Sequence, residues 1–311
     1  MRNHEGHEAQ EFTEKAMSFG FVAVGFSRAQ RPPFFDQFRK WIAAGKQGEM
    51  GWLGKRSALR ENPKRLLEGC ETVITLAYPY PSRKPYTPDG FSAARYCEPR
   101  KSDYHDRLKK LARKLARGIE KTHPGTTTRI CVDSSPILER SFAHASGIGF
   151  IGKNNMLIIP GKGSYIFLAE ILTTAPLPFS QARSMETRCG ACTLCIDACP
   201  TGALEKAYAL DASKCLSYLT IEKQGAVSRE TARNMGACFF GCDVCQEVCP
   251  FNEEETNKDP SLPSTDKILE MNDEDFKREF GKTAFARAGL EKVKSNIRAV
   301  RSEQWIPSPS P

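Results

Sequence analysis

Two cysteine runs, each ending in Cys-Pro, constrain this chain more than any other feature. They are Cys189-x2-Cys192-x2-Cys195-x3-Cys199-Pro200 and Cys242-x2-Cys245-x3-Cys249-Pro250, with Cys215 between them. The first has the bacterial ferredoxin spacing for a [4Fe-4S] cluster, in which three close thiolates hold one cube and the fourth cysteine reaches the other. The second run has only two cysteines before its x3 gap, so two self-contained sets of four do not close. A swapped arrangement does close, with Cys189, Cys192, Cys195 and Cys249 on one cluster and Cys199, Cys215, Cys242 and Cys245 on the other. Cys238, four residues before Cys242, is the alternative to Cys215 and also suits a small apolar filler between Ala237 and Phe239. Two such clusters make this stretch an electron-transfer module.

Other uses of so many cysteines fit less well. Structural zinc sites pair CxxC knuckles, often with histidine, and no histidine lies between Cys189 and Cys249. A disulfide framework needs an oxidising compartment, and residues 1–8 have no apolar signal region, so a cytoplasmic protein is expected. The most apolar stretch, residues 156–172, is broken by Pro160, Gly161, Lys162 and Gly163, which excludes a membrane helix there.

The formal net charge of +8 is moderate, but its distribution is informative. From residue 104 to 121, Leu108, Leu111, Ala112, Leu115, Ala116 and Ile119 recur at helical period, with Lys109, Lys110, Arg113, Lys114 and Arg117 on the other side. Taken alone, that side is a solvated helix face. A second basic set, Lys282, Arg287, Lys292, Lys294, Arg298 and Arg301, lies near the C-terminus, and the two together suit a polyanion such as RNA.

Punctuation along the chain predicts an α+β fold in three parts. Residues 1–178 form an N-terminal α/β domain, 179–255 a bacterial-ferredoxin-like two-cluster domain, and 256–311 a short helical region with a disordered Pro-Ser tail. In the first part, helices are expected around 8–18 and after Pro32 and Pro33, and strands at 21–25, 72–78, 129–133 and 167–174. Residues 174–183 read as a linker, 253–255 as an acidic stretch and 264–303 as helical. Gly147-Ile-Gly149-Phe-Ile-Gly152 has dinucleotide-fingerprint spacing but follows a helical pattern instead of a strand, so it reads as a turn with close backbone approach.

Several segments outside the cysteine runs carry a specific resemblance. Ala94-Arg95-Tyr96-Cys97, Ser102-Asp103-Tyr104-His105, the run from Val132-Asp133-Ser134 to Leu138-Glu139-Arg140, Gly149 to Asn154, and Gly241 to Gln246 resemble the epoxyqueuosine reductases. The similarity spans about residues 10 to 255. It implies a cobalamin-dependent enzyme that makes queuosine from epoxyqueuosine at the tRNA wobble position. In that family cobalamin lies between the N-terminal and cluster domains, with no histidine on the lower face of cobalt. The resemblance further implies a low-potential electron-donor protein as partner, and a monomer is expected.

By the same resemblance Asp133 matches the catalytic aspartate, the acid that protonates the departing oxygen, for which burial or nearby negative charge must raise its pKa. Without the resemblance, an N-cap for a helix starting near Pro136 is the lesser alternative for Asp133. Cys97 matches a cysteine near the cobalt, and a small buried hydrophobe is an equal reading of it. Arg56, Lys153 and Asn154 are candidates to hold cobalamin's amide and phosphate groups, and Ser217 and Asp243 flank cluster ligands where the corrin would meet them. Family members often continue into a helical-repeat domain that grips tRNA, and here the basic C-terminal helices would carry more of that binding. Two other readings remain: a cobalamin-dependent reductive dehalogenase and a ferredoxin-like electron carrier.

Overall fold

The computed structural model describes residues 2–99, 101–177, 184–252 and 259–304. The chain divides into two compact units. The first comprises Met1–Gly45, Gly51–Pro79 and His105–Cys192, and the second Lys46–Met50, Tyr80–Tyr104 and Thr193–Pro311. The expected 1–178 segment is therefore shared between them, and the part of the cluster segment from Thr193 onward falls in one unit with the C-terminal helices. The expected boundaries at 178 and 255, part of the linker, the acidic stretch 253–255 and the tail fall outside the described residues.

The first unit is built on a four-stranded sheet in the order Ala23–Arg28, Thr72–Pro79, Ile166–Thr173, Thr128–Cys131. Every neighbouring pair is antiparallel, so this part is mixed α and β but not an α/β fold with parallel crossovers. After Pro79 the chain leaves for the second unit and returns only at His105. The two central strands read as continuous apolar runs because both faces are covered; residues 72–77 are all buried.

Tyr104–Thr122 forms the long helix that its periodicity predicts, burying Leu108, Ala112, Leu115, Ala116 and Ile119. Full burial of each Leu or Ile contributes about 1.5–3 kcal/mol, which fixes the face and leaves the basic residues outward. Phe150–Ile151 and Leu157–Ile158 pair as a hairpin. Gly149 is required beside it, since a Cβ there would meet the Ile158 carbonyl oxygen at 2.5 Å. The close backbone approach expected for the 147–152 glycines is thus present.

The second unit has short helices around the cysteine runs and a longer C-terminal set, Thr265–Glu270, Asp273–Phe280 and Leu290–Gln304. Asn272 and Asp275 close a capping box at the middle one. Cys238–Phe240 pairs in parallel with Ser92–Ala93, which brings the 80–104 excursion into this unit. Gly48 admits no side chain because the Tyr218 ring lies against it, and the Glu49 N–H donates to the Tyr218 hydroxyl at 2.8 Å. These contacts hold the small 46–50 insert in the same unit.

Among the described residues no helix is long and apolar enough to cross a membrane. The core of the second unit centres on Phe285, whose ring lies 4.5 Å from Phe240, 4.9 Å from Phe280 and 6.3 Å from Phe239. Phe285→Ala opens a cavity among these rings and is expected to destabilise this unit by about 3–5 kcal/mol, read as a lowered urea midpoint of its unfolding transition.

Candidate active site and cluster-binding cysteines

In the first unit the edge strand ends at Cys131, two residues short of Asp133. Asp133 sits in the left-handed region with φ 46°, which aspartate tolerates better than most residues. Its N–H donates to Glu139 Oε1 at 2.6 Å, and its Oδ2 lies 2.9 Å from His105 Nε2 at the start of the long helix. The Asp133 side chain is 58% exposed and that of His105 26%. The helix that follows starts at Glu139 with Leu138 at its N-cap, so Asp133 is not the capping residue the sequence allowed. Instead of a buried acid, the site presents an exposed carboxylate paired with an imidazole.

Behind this turn lie two more carboxyl groups. Glu170, on the central strand Ile166–Thr173, is fully buried, and neither of its oxygens has a conventional hydrogen-bond partner. Burial first, then the charge of Glu139, pushes its carboxyl well above the usual carboxylate range. Burial and the Asp133 carboxylate push Glu139 up as well. Of the two adjacent carboxyl groups, Glu139 thus opposes the ionisation of Glu170. Through its bond to the Asp133 N–H, Glu139 fixes the left-handed turn.

The other expected site residues divide by what already occupies them. Lys153 donates from Nζ to the carbonyl oxygens of Gly190 and Cys192 at 2.7 and 2.8 Å, so it holds the first cysteine loop. Asn154 is buried and accepts the Met156 N–H at 3.1 Å, building its own hairpin turn. Asp243 is buried and accepts from the Arg95 main-chain N–H at 2.8 Å and from its guanidinium at 3.3 Å. Arg56, exposed after the short helix Trp52–Lys55, and Ser217 on Leu216–Ile221 make no side-chain hydrogen bond among the described residues. Cys97 is buried at the end of a short turn, and burial, then the Asp243 carboxylate, drives its thiol well up.

Of the cluster cysteines, Cys189 and Cys192 fall in the first unit and the other six in the second. Within the second, the short helices Leu194–Asp197 and Val244–Glu247 pack together. Burial raises the Cys245 thiol, and Cys242, Cys215, Cys195 and Cys199 raise it further as neighbouring negative charges. Cys242, pushed up to about 12, feels Cys238 and Cys215, and Cys215 feels Cys199. Thiols that oppose one another's ionisation in this way are suited to iron, whose positive charge removes the penalty. Among the described residues no three His, Cys, Asp or Glu side chains close on a single metal ion. The Cys238 thiol lies 3.5 Å from the Phe240 carbonyl oxygen and 3.6 Å from that of Gly241, within its own loop.

His105, Glu139, Glu170 and Arg95 had no assigned role in the sequence. His105, Glu139 and Arg95 stand in segments that carry the family resemblance, which was the available signal. Glu170 had none, being one acidic residue in an apolar strand.

The family model described as "4Fe-4S double cluster binding domain" matches residues 188–252, and the one described as "Epoxyqueuosine reductase QueG, DUF1730" matches residues 60–134. The chain is 37% identical over 250 residues to the epoxyqueuosine reductase of Pseudomonas aeruginosa, covering 78% of this chain and 68% of that protein. A solved epoxyqueuosine reductase from Streptococcus thermophilus superposes with a TM-score of 0.86 at 28% identity, over 95% of this chain and 81% of that one. One crystallised with an epoxyqueuosine-modified tRNA-Tyr stem loop gives 0.81 at 30% identity, with the same coverage. With the epoxyqueuosine reductase of Leadbetterella byssophila, identity is 33% over 304 residues, 94% of this chain and 98% of the other. At that identity across nearly the whole of both proteins, the chain belongs to the epoxyqueuosine reductase family.

Proposed function

We infer that this chain reduces epoxyqueuosine to queuosine at the tRNA wobble position in the cytoplasm, with cobalamin and two [4Fe-4S] clusters as cofactors. The observation that carries the reading is the His105–Asp133 pair, 2.9 Å apart on an exposed turn of a chain in this family. Converting an epoxide to an alkene takes up two electrons and two protons and releases the oxygen as water. Cobalamin, when bound, supplies a reduced cobalt that gives the electron pair to carbon, with the clusters delivering electrons from a low-potential donor protein.

The protein's part is the proton. As the carbon–oxygen bond breaks, the oxygen gains negative charge, and Asp133 is the acid beside it. His105, whose Nε2 lies 2.9 Å from Asp133 Oδ2, is the group placed to pass a proton to it. Glu139 keeps the turn in place through the Asp133 N–H. Of the expected cobalamin contacts, Arg56 and Ser217 fit best, since each has an unengaged donor for the cofactor's amide and phosphate groups. Family membership sets aside the reductive dehalogenase and simple electron-carrier readings.

Nucleoside mass spectrometry of tRNA from cells lacking this gene is expected to show epoxyqueuosine in place of queuosine; unchanged queuosine would refute the assignment. Asp133→Asn keeps the shape but cannot deliver the proton, so turnover should drop about 100-fold or more with iron content unchanged. Near-normal turnover would leave Asp133 a merely structural turn residue. For the clusters, Cys215→Ala should strip iron from one cluster and leave the other nearly intact, while Cys238→Ala should leave iron unchanged. The opposite pattern in an iron assay would move the fourth ligand to Cys238.

A further inference from the structure

The helix Tyr104–Thr122 begins beside the candidate acid and then carries an uninterrupted row of bases. His105, Lys109, Arg113, Arg117 and Lys121 stand four residues apart, which places them along one i, i+4 ridge of the helix surface. At 1.5 Å per residue, successive members are roughly 6 Å apart along the axis, and the row from Lys109 to Lys121 runs about 18 Å. Its first member is the imidazole at 2.9 Å from Asp133. The row therefore leads away from the reacting group while turning about 40° around the helix at each step.

These cations are not used internally. Arg113, Arg117 and Lys121 are exposed and Lys109 is half-exposed, and none makes an ion pair or side-chain hydrogen bond among the described residues. The helix as a whole carries seven lysines and arginines against two acids, Asp106 and Glu120, and Glu120 accepts from the Thr128 hydroxyl. The C-terminal basic set behaves differently. Arg287 is bound by two hydrogen bonds to Glu222, Arg301 pairs with Asp266, and Lys292 donates to the Gly225 carbonyl. Of the residues expected near the C-terminus to hold RNA, these three are spent on the fold.

We propose that Lys109, Arg113, Arg117 and Lys121 form a phosphate-binding track for the RNA strand that presents its base at Asp133. The proposal rests on the reading of the substrate as tRNA. A base can reach Asp133 only if it is splayed from its stack, which leaves its flanking phosphates extended and in need of support. A ridge of cations spaced about one turn apart is comparable with the separation of successive phosphates along a strand, and it starts where the base must end. Such contacts carry no sequence information; they set register and affinity.

The test compares the full chain with a Lys109→Gln/Arg113→Gln/Arg117→Gln variant. Glutamine preserves helix propensity, and the replaced groups have no partner whose loss would unfold the protein. Binding of unmodified tRNA is measured at several salt concentrations, and turnover is measured separately on epoxyqueuosine tRNA. With about 0.7 per phosphate contact on single strands, the slope of log affinity against log salt should flatten by about two. KM for tRNA should rise while kcat at saturating tRNA holds. An unchanged slope, or a flattening seen only in Lys294→Gln/Arg298→Gln, would overturn the track. Wild-type protein that binds tRNA with the full slope yet leaves epoxyqueuosine unreduced would instead refute the reaction and leave the track standing.

Discussion

Arg95 is a nearly buried guanidinium, and the second unit is arranged around its need for partners. It meets Asp243 at 3.3 Å, the Ser82 carbonyl and Glu247, while Lys84 reaches Glu247 at 3.0 Å. Burial pushes the Asp243 carboxyl up, and the cations Lys84 and Arg95 pull it back toward the charged form. Removing one member of such a set strands the other in a poor solvent, a loss of about 3–5 kcal/mol. Asp243 and Glu247 flank Cys242 and Cys245, so the same charges that tie the 80–104 excursion to this unit also set the loop from which two cluster thiols project.

The Asp133 turn in the first unit works by a related logic with weaker terms. A left-handed aspartate is tolerated, not favoured, and it is held at both ends, by Glu139 on its N–H and by His105 on its carboxylate. Glu139 itself stands beside the buried Glu170 carboxyl, whose pKa its charge raises. The turn is therefore secured by groups whose charge depends on protonation, in a protein whose proposed chemistry moves protons.

The cysteine spacing made the cluster segment legible, because ligand geometry leaves few spacings open. The strands at 72–78 and 167–174 were legible for another reason, since burial on both faces demands continuous apolar residues. The sense of the sheet was not legible, because strands buried on both faces read as the same apolar runs whether parallel or antiparallel, and nothing in residues 80–104 signals an excursion into another unit. Lys153 and Asn154 show the same limit at the site. Their polar groups suit a ligand in the sequence, yet the fold spends them on the Gly190 and Cys192 carbonyls and on a hairpin turn. His105 was visible as part of a familiar segment, but its pairing with a residue 28 positions away needed the fold.

The interleaving of the two units bears on how the chain is made. Residues 92–93 pair with a strand at 238–240, and the core they join includes Val293, Ile297 and Val300 near the end of the last helix. At a synthesis rate of about 5–20 residues per second, the excursion waits on the order of 10–40 s after leaving the ribosome before its partners follow. During that interval Phe91, Ala93 and Ala94, fully covered in the finished fold, are open to solvent and to other chains. The cluster cysteines emerge inside the same window, so iron delivery and closure of this core compete in time, and the unit cannot be detached as a free-standing ferredoxin by a single cut in the chain.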